Sequence, residues 1–325
     1  MSSAKAFIPI TFLVGSLTAW QARANGELSV LVGSGLEAAV WSFGSGLIML
    51  TILLAVNRRI RAGVGKVILG LRNHDFPRWH ILGGVLGGTF VGVQASVVPL
   101  IGVALFTVAV VAGQSTNALL VDRVGLGPAG VAAISPIRII ASVLAVAGVL
   151  VAVSSRLSGE VSVLPVALSF IVGALISVQQ AINSRIGITA GNAFSSTWFN
   201  FVFGTTALVV ASVTQVFWGD MYVSALPSDS WWVYTGGIVG VVYIAMSVWV
   251  VPKVGVLIFA LISVSGQLTG ALVLDFLLPT SGTVITPTLF IGVGLTFVAV
   301  ALSVLPRLLR TTGSSLGSQR STTRK

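Results

Sequence analysis

The chain carries one pattern twice, and that repeat limits its fold more than any other feature. Gly83-Gly84-Val85-Leu86-Gly87 returns 153 residues later as Gly236-Gly237-Ile238-Val239-Gly240. At the same offset Val98-Pro99 meets Val251-Pro252, Gly102-Val103 meets Gly255-Val256, Phe106 meets Phe259, Gly113-Gln114 meets Gly266-Gln267, and Asp122 meets Asp275. An earlier block repeats at 158 residues: Gln21, Asn25, Phe43 and Gly46 match Gln179, Asn183, Phe201 and Gly204. Duplication in an apolar chain is the usual trace of a transporter built from two halves around a central site.

The solvent is lipid for most of the length. Charged residues make up 8% of the chain and apolar ones 55%, against about 25% charged in soluble domains. A helix needs about 20 apolar residues to cross the hydrocarbon core. Segments near 7–24, 30–56, 79–98, 101–121, 133–154, 162–182, 192–217, 231–251, 254–274 and 286–305 qualify. Their continuous apolar runs are unlike the alternating strands of a barrel. Lys5, the first run and Ala22-Arg23-Ala24 resemble a secretory signal. That segment aligns with an internal one, however, so it reads as a retained span.

Loop charge gives orientation. Arg58, Arg59, Arg61, Lys66, Arg72 and Arg78 follow the second segment, which places that loop and the N-terminus in the cytoplasm. Arg123, Arg185, Lys253, Arg307, Arg310, Arg320, Arg324 and Lys325 agree, and the C-terminus is also inside. The loop between segments seven and eight holds Asp220 and Asp229 with no Lys or Arg, as an outer loop should. Five spans per copy is odd, so the second copy enters upside down. The expected fold is all-α and integral to the membrane, with ten transmembrane helices in two inverted five-helix repeats. The first repeat covers 1–156, with a basic cytoplasmic loop at 57–78. The second covers 157–306, and a basic disordered cytoplasmic tail takes 307–325. The net charge of +10 sits in these loops and the tail, not on one soluble face, and does not point to nucleic acid.

Polar side chains inside spans are costly and mark sites by default. Here the candidates for substrate or proton binding are Gln21, Arg23, Asn25, Glu27, Glu37, Gln94, Gln114 and Asn117 in the first half. The second half adds Gln179, Asn183, Asn200 and Gln267. Glu37 stands out, because its segment has no basic residue. A carboxylate in low dielectric can load and release a proton as access alternates. The alternative is a Glu near the outer surface or paired with Arg23. Arg23 and Glu27, four apart, share a helix face. Arg23 is expected to snorkel beside that local partner or to receive an anionic substrate group. The amides suit either a substrate or a neighbouring helix. Glycines four apart at 83/87, 84/88 and 236/240 read as close-packing positions. Pro99 and Pro252 read as turn formers between spans.

The chain lacks a phosphate loop, a zinc-protease motif, a nucleophile elbow and any cysteine. It therefore reads as neither an enzyme nor the holder of a cofactor or metal. The partners expected are the bilayer, a small molecule and, if coupled, protons, in a monomer or homodimer.

Gln21-Ala22-x-x-Asn25, Gln179-x-x-x-Asn183, Ser42-Phe43-x-x-Gly46, Gly83-Gly84, Val98-Pro99-x-x-Gly102 and Gly113-Gln114 with Asp122 resemble the YdcZ-like branch of the drug/metabolite transporter superfamily. The second half repeats the order with Gly236-Gly237, Val251-Pro252-x-x-Gly255, Gly266-Gln267 and Asp275. This chain resembles a fused two-repeat form. The resemblance implies an EamA-like ten-helix fold, a central cavity, and secondary transport, often export, in a bacterial inner membrane. It names no substrate. Asn200 stands in place of Ser42, and Leu278 in place of Gly125, so the halves need not contribute equally to a site. Three readings stay open: a secondary exporter by alternating access with or without proton coupling, an uncoupled facilitator, and a non-transporting scaffold.

Overall fold

A computed structural model describes residues 2–127, 130–131, 134–154, 163–218, 228–243, 246 and 256–302. Asp220, Pro252, Lys253 and the tail lie outside these. Most of the described residues are helical, with no strand among them. Lipid offers no partner for backbone N–H and C=O groups, so a spanning segment must satisfy them within itself, and a helix does. The helices are α1 (Ser2–Val32), α2 (Gly35–Val56), α3 (Arg58–Asn73), α4 (Gly83–Ile101), α5 (Val103–Arg123), α6 (Pro136–Ser154), α7 (Leu164–Ala190) and α8 (Ala193–Phe217). They continue as α9 (236–243), α10 (Val256–Leu277) and α11 (Pro287–Leu302). Short 3-10 turns, Arg78–Leu82 and Trp231–Thr235, lead into α4 and α9. Among the described residues six helices are long and apolar enough to cross a membrane: α2, α4 with its leading turn, α5, α6, α7 and α8.

Three local features differ from expectation. First, α1 does not end near residue 24 but runs to Val32. Asn25 is fully buried and finds a side-chain partner, so it does not stop the helix. The break comes where Gly33 takes φ +76°, a region open to glycine at little cost. Ser34 then caps α2 by accepting the Glu37 N–H at 3.2 Å. Second, most of the basic 57–78 loop is a helix. Asn57 Oδ1 caps α3 by accepting from Arg59 N at 2.9 Å and Ile60 N at 3.3 Å. Ile60, Gly63, Val67 and Gly70 form its buried face. Third, Pro99 is not a turn between helices; it lies inside the last turn of α4. The chain turns at Gly102, with φ +81°.

Positions that the repeat makes equivalent sit in equivalent contacts, and those contacts cross between halves. A Cβ added at Gly84 on α4 would lie 2.2 Å from the Asn200 carbonyl oxygen of α8. One at Gly237 on α9 would lie 2.0 Å from the Ser42 carbonyl oxygen of α2. Gly113 of α5 faces the Phe170 carbonyl of α7, as Gly266 of α10 faces the Phe12 carbonyl of α1. Gly46 abuts the Phe201 ring, and Gly204 the Phe43 ring. Those two rings stack with centroids 4.8 Å apart. So α1 of the first half packs on α10 of the second, and α7 of the second on α5 of the first. Small residues let these backbones approach, which is how helices gain contact where lipid removes the hydrophobic drive. The largest apolar cluster gathers Val98, Ile101, Leu105 and Phe106 with Val172, Leu268 and Leu289.

The repeated acids separate in role. Asp275, 1% exposed, accepts from Val103 N at 2.8 Å and Ala104 N at 2.7 Å, capping α5. A carboxylate there meets both the free N–H groups and the positive end of the helix dipole. Asp122 instead pairs with Arg138 at 2.6 Å.

Candidate functional site

The polar strip of α1 and its neighbours holds two buried ionisable residues, Arg23 and Glu37. Arg23 Nη1 pairs with Glu27 Oε2 at 2.7 Å. Its Nε donates to the Leu278 carbonyl at 2.9 Å, and its guanidinium lies 5.7 Å from the centre of the Trp232 ring. Arg23 is buried, so it does not snorkel to water. It ties α1 to the end of α10 and to the turn before α9. The local pairing expected from the i,i+4 spacing is present; the other two contacts needed residues far along the chain.

Asn25 Nδ2 donates to Gln94 Oε1 at 3.0 Å, joining α1 to α4. Asn25 Oδ1 is buried with no hydrogen-bond partner among the described residues. It lies where a Cβ on Gly236 would fall, 2.1 Å away. Gln21, half-buried on the same helix, points its amide nitrogen toward Gly240. The second half arranges the same residue types differently. Asn200 Oδ1 accepts from both Gln179 Nε2 at 2.7 Å and Asn183 Nδ2 at 3.0 Å. Gly87 and Gly83 leave room for those two amides. Where the first half has Ser42, the second has Asn200, and the amide gathers two partners that a serine does not.

Gln114 Nε2 donates to Gln180 Oε1 at 2.9 Å. Asn117 Nδ2 donates to the Ala174 carbonyl at 2.9 Å and to Ser177 Oγ at 2.8 Å. Both are α5–α7 contacts. Gln267, the repeat mate of Gln114, is half-buried on α10. Ser177 and Trp232 complete these sets but were not among the candidates. Nothing local in the sequence marks them, because their value lies in what crosses them.

Glu37 sits in the first turn of α2 at 6% exposure. Its Oε2 is buried with no hydrogen-bond partner among the described residues. Arg23, the partner considered from sequence, is engaged with Glu27. The following Ala38 packs in an apolar cluster with Leu28, Val32, Ala95 and Val233. The repeat mate Ser195 is also buried, but its Oγ donates to the Ile60 carbonyl at 2.9 Å. Glu37 is thus the odd member of its pair: ionisable, buried and incompletely bonded.

A cavity of 560 Å³ opens between α4 and α8, bounded also by Leu36 and Leu168. Its wall is apolar, with Thr89, Ser96 and Gln215 the polar exceptions. None of the candidate residues lines it. Its size suits a small organic molecule. Among the described residues no three His, Cys, Asp or Glu side chains converge as metal ligands would.

No curated protein matches the chain. One crystal structure, described only as that of a protein, superposes on 95% of this chain and 99% of its own, with a TM-score of 0.53 and 17% identity. At that identity the likeness shows the fold alone. The profile of the family described as "Putative inner membrane exporter, YdcZ" matches over two segments, residues 6–151 and 164–302. One segment falls in each copy of the repeat, and together they take in most of the chain, so this multi-pass inner-membrane protein belongs to the YdcZ family in a two-repeat form.

Proposed function

We propose that the protein exports a small, largely apolar organic molecule by alternating access, with Glu37 carrying a coupled proton. The reading takes 1–156 and 157–306 as inverted repeats of five spans each, with both termini in the cytoplasm and 307–325 as a basic tail. The observation that carries it is the exchange of equivalent contacts between halves, Gly84 on Asn200 and Gly237 on Ser42. Two near-equivalent sets of crossings can trade conformations and so open one site to either side in turn. A scaffold has no need of that geometry. The buried, incompletely bonded carboxylate of Glu37 favours coupling over free diffusion.

Reconstitution tests this. In proteoliposomes, an apolar dye should move against its own gradient when a pH gradient is imposed. Flux that only runs downhill would leave an uncoupled facilitator, and none would leave a scaffold.

Orientation has a separate check. The chain has no cysteine, so single replacements report cleanly. Ser228→Cys should react with a membrane-impermeant thiol reagent from the periplasmic side of intact spheroplasts. Gly65→Cys should react only after lysis. Gly65 faces open space, whereas a side chain at Gly63 would meet Ser195 Oγ at 2.3 Å. The reverse labelling would invert the assignment.

A further inference from the structure

The basic helix α3 has one face packed and one face free. Ile60, Gly63, Val67 and Gly70 are buried. Ser195 Oγ of α8 donates to the Ile60 carbonyl at 2.9 Å. A Cβ on Gly63 would lie 3.0 Å from the Ala190 carbonyl oxygen, at the end of α7. The helix therefore lies along the level where α2 and α7 end and α8 begins. In a membrane that level belongs to the lipid headgroups. Exposed Leu69 and Trp79 flank the site, at 56% and 50% exposure, as residues of the interface do.

The other face carries Arg58, Arg59, Arg61, Lys66 and Arg72, all exposed. Arg61 Nη1 is turned back to the carbonyls of Leu54 and Ala55 at the end of α2. Among the described residues no carboxylate lies within ion-pair distance of Arg58, Arg59, Lys66 or Arg72. The chain has little to offer them. It has 18 Lys and Arg against 8 Asp and Glu. Glu27 is taken by Arg23 and Asp122 by Arg138, and Asp275 caps α5. The stretch 57–78 contains Asp75 as its one acid, and 307–325 adds five basic residues and no acid. Among the described residues no acid pairs with these four side chains, which leaves their countercharge to a partner outside the chain.

We propose that the free face of α3 docks on anionic phospholipid headgroups, with Arg58, Arg59, Lys66 and Arg72 receiving the phosphates. The anion available at that depth is the phosphodiester of the bilayer, and a basic amphipathic helix at a span's end is suited to it. Through Ser195 and the α7–α8 turn, the lipid contact braces the second half from a helix that belongs to the first.

The test uses the full chain in nanodiscs of phosphatidylcholine, with and without phosphatidylglycerol. Native mass spectrometry reads which lipid stays bound, and thermal unfolding reads stability. The wild type should retain phosphatidylglycerol over phosphatidylcholine, unfold at a higher temperature when it is present, and lose both preferences at high salt. Replacing Arg58, Arg59, Lys66 and Arg72 together by Gln should cut the bound-lipid ratio by at least about fivefold, the worth of one basic residue at an anionic surface. Its unfolding midpoint in pure phosphatidylcholine should match wild type. Changing the three arginines to Lys should keep the preference. An unchanged ratio in the Gln variant overturns the proposal. So does equal stabilisation of phosphatidylcholine discs by soluble glycerol phosphate or by poly-glutamate, which would make the face a site for free anions or for an acidic protein. If the fourfold variant does not fold, the salt titration of wild type and the single variants Arg58→Gln and Arg72→Gln decide. A salt-independent preference, or one unmoved in both single variants, rejects it.

Discussion

Glu37→Gln should abolish transport driven by a pH gradient while leaving the protein folded. Gln has the shape of Glu and cannot carry the proton. The Ser34 cap to the backbone N–H of residue 37 does not involve the altered group. A carboxyl group held at 6% exposure with one oxygen unbonded is a cost to the fold, so an amide of the same shape should be tolerated or even stabilising. Gradient-driven dye flux in proteoliposomes should drop to that of protein-free vesicles, with the unfolding midpoint unchanged or raised. A structural Glu would behave in the opposite way: the amide would lower the midpoint and flux would fall only with folded protein. Flux that keeps its rate and its pH dependence in the variant removes Glu37 from the mechanism. Glu37→Asp keeps a titratable group one methylene shorter and should retain part of the flux.

Alanine at Gly113 or at Gly266 should damage the fold, and to a similar extent. The added Cβ would lie 1.9 Å from the Phe170 carbonyl oxygen in one case and 2.0 Å from that of Phe12 in the other. Both obstacles are backbone of a packed helix, so neither can swing aside. The helices must separate, which loses contacts along the crossing. Overpacking of this kind costs about 1–3 kcal/mol, and more where a backbone has to move. Each variant should therefore lower the thermal midpoint in detergent by several degrees and reduce the yield of monodisperse protein. Gly44→Ala and Gly294→Ala are the controls, since nothing lies within 4 Å of a Cβ at either place. They should be neutral or slightly stabilising, because Ala is the better helix former. A large loss at one member of the Gly113/Gly266 pair and none at the other would mean that the repeat no longer governs packing.

How much of the site was legible in the sequence depends on the distance between partners. Arg23 and Glu27 were readable as a pair, because i,i+4 spacing puts them on one face whatever else the chain does. That Arg23 also holds Leu278 and Trp232 was not readable. Asn25 and Asn183 are matched positions of the repeat. One bonds Gln94 and the other Asn200, because position 42 is Ser in one copy and its equivalent is Asn in the other. The helix α3 was hidden by its charge. Ile60, Val64, Val67 and Leu71 do recur at helical spacing, yet the five basic residues of the same stretch, Arg58, Arg59, Arg61, Lys66 and Arg72, read as a loop. The apolar cavity at α4 and α8 had no signature, since its walls are the same residue types that face lipid.

By itself the sequence determined that this is a helical membrane protein, that its halves are copies, and where the copies differ, as at Ser42 and Asn200. Burial in lipid is decided residue by residue, and a repeat is visible in one dimension. The tertiary structure decided that the halves interlock, that most of the candidate amides bond other helices, and that Glu37 alone among the candidates combines charge with a buried, unbonded oxygen among the described residues. Those outcomes rest on which helices cross and at what depth. A crossing is set by backbones meeting at glycines more than a hundred residues apart for Gly84 with Asn200 and Gly237 with Ser42, and no local pattern in either segment records its partner.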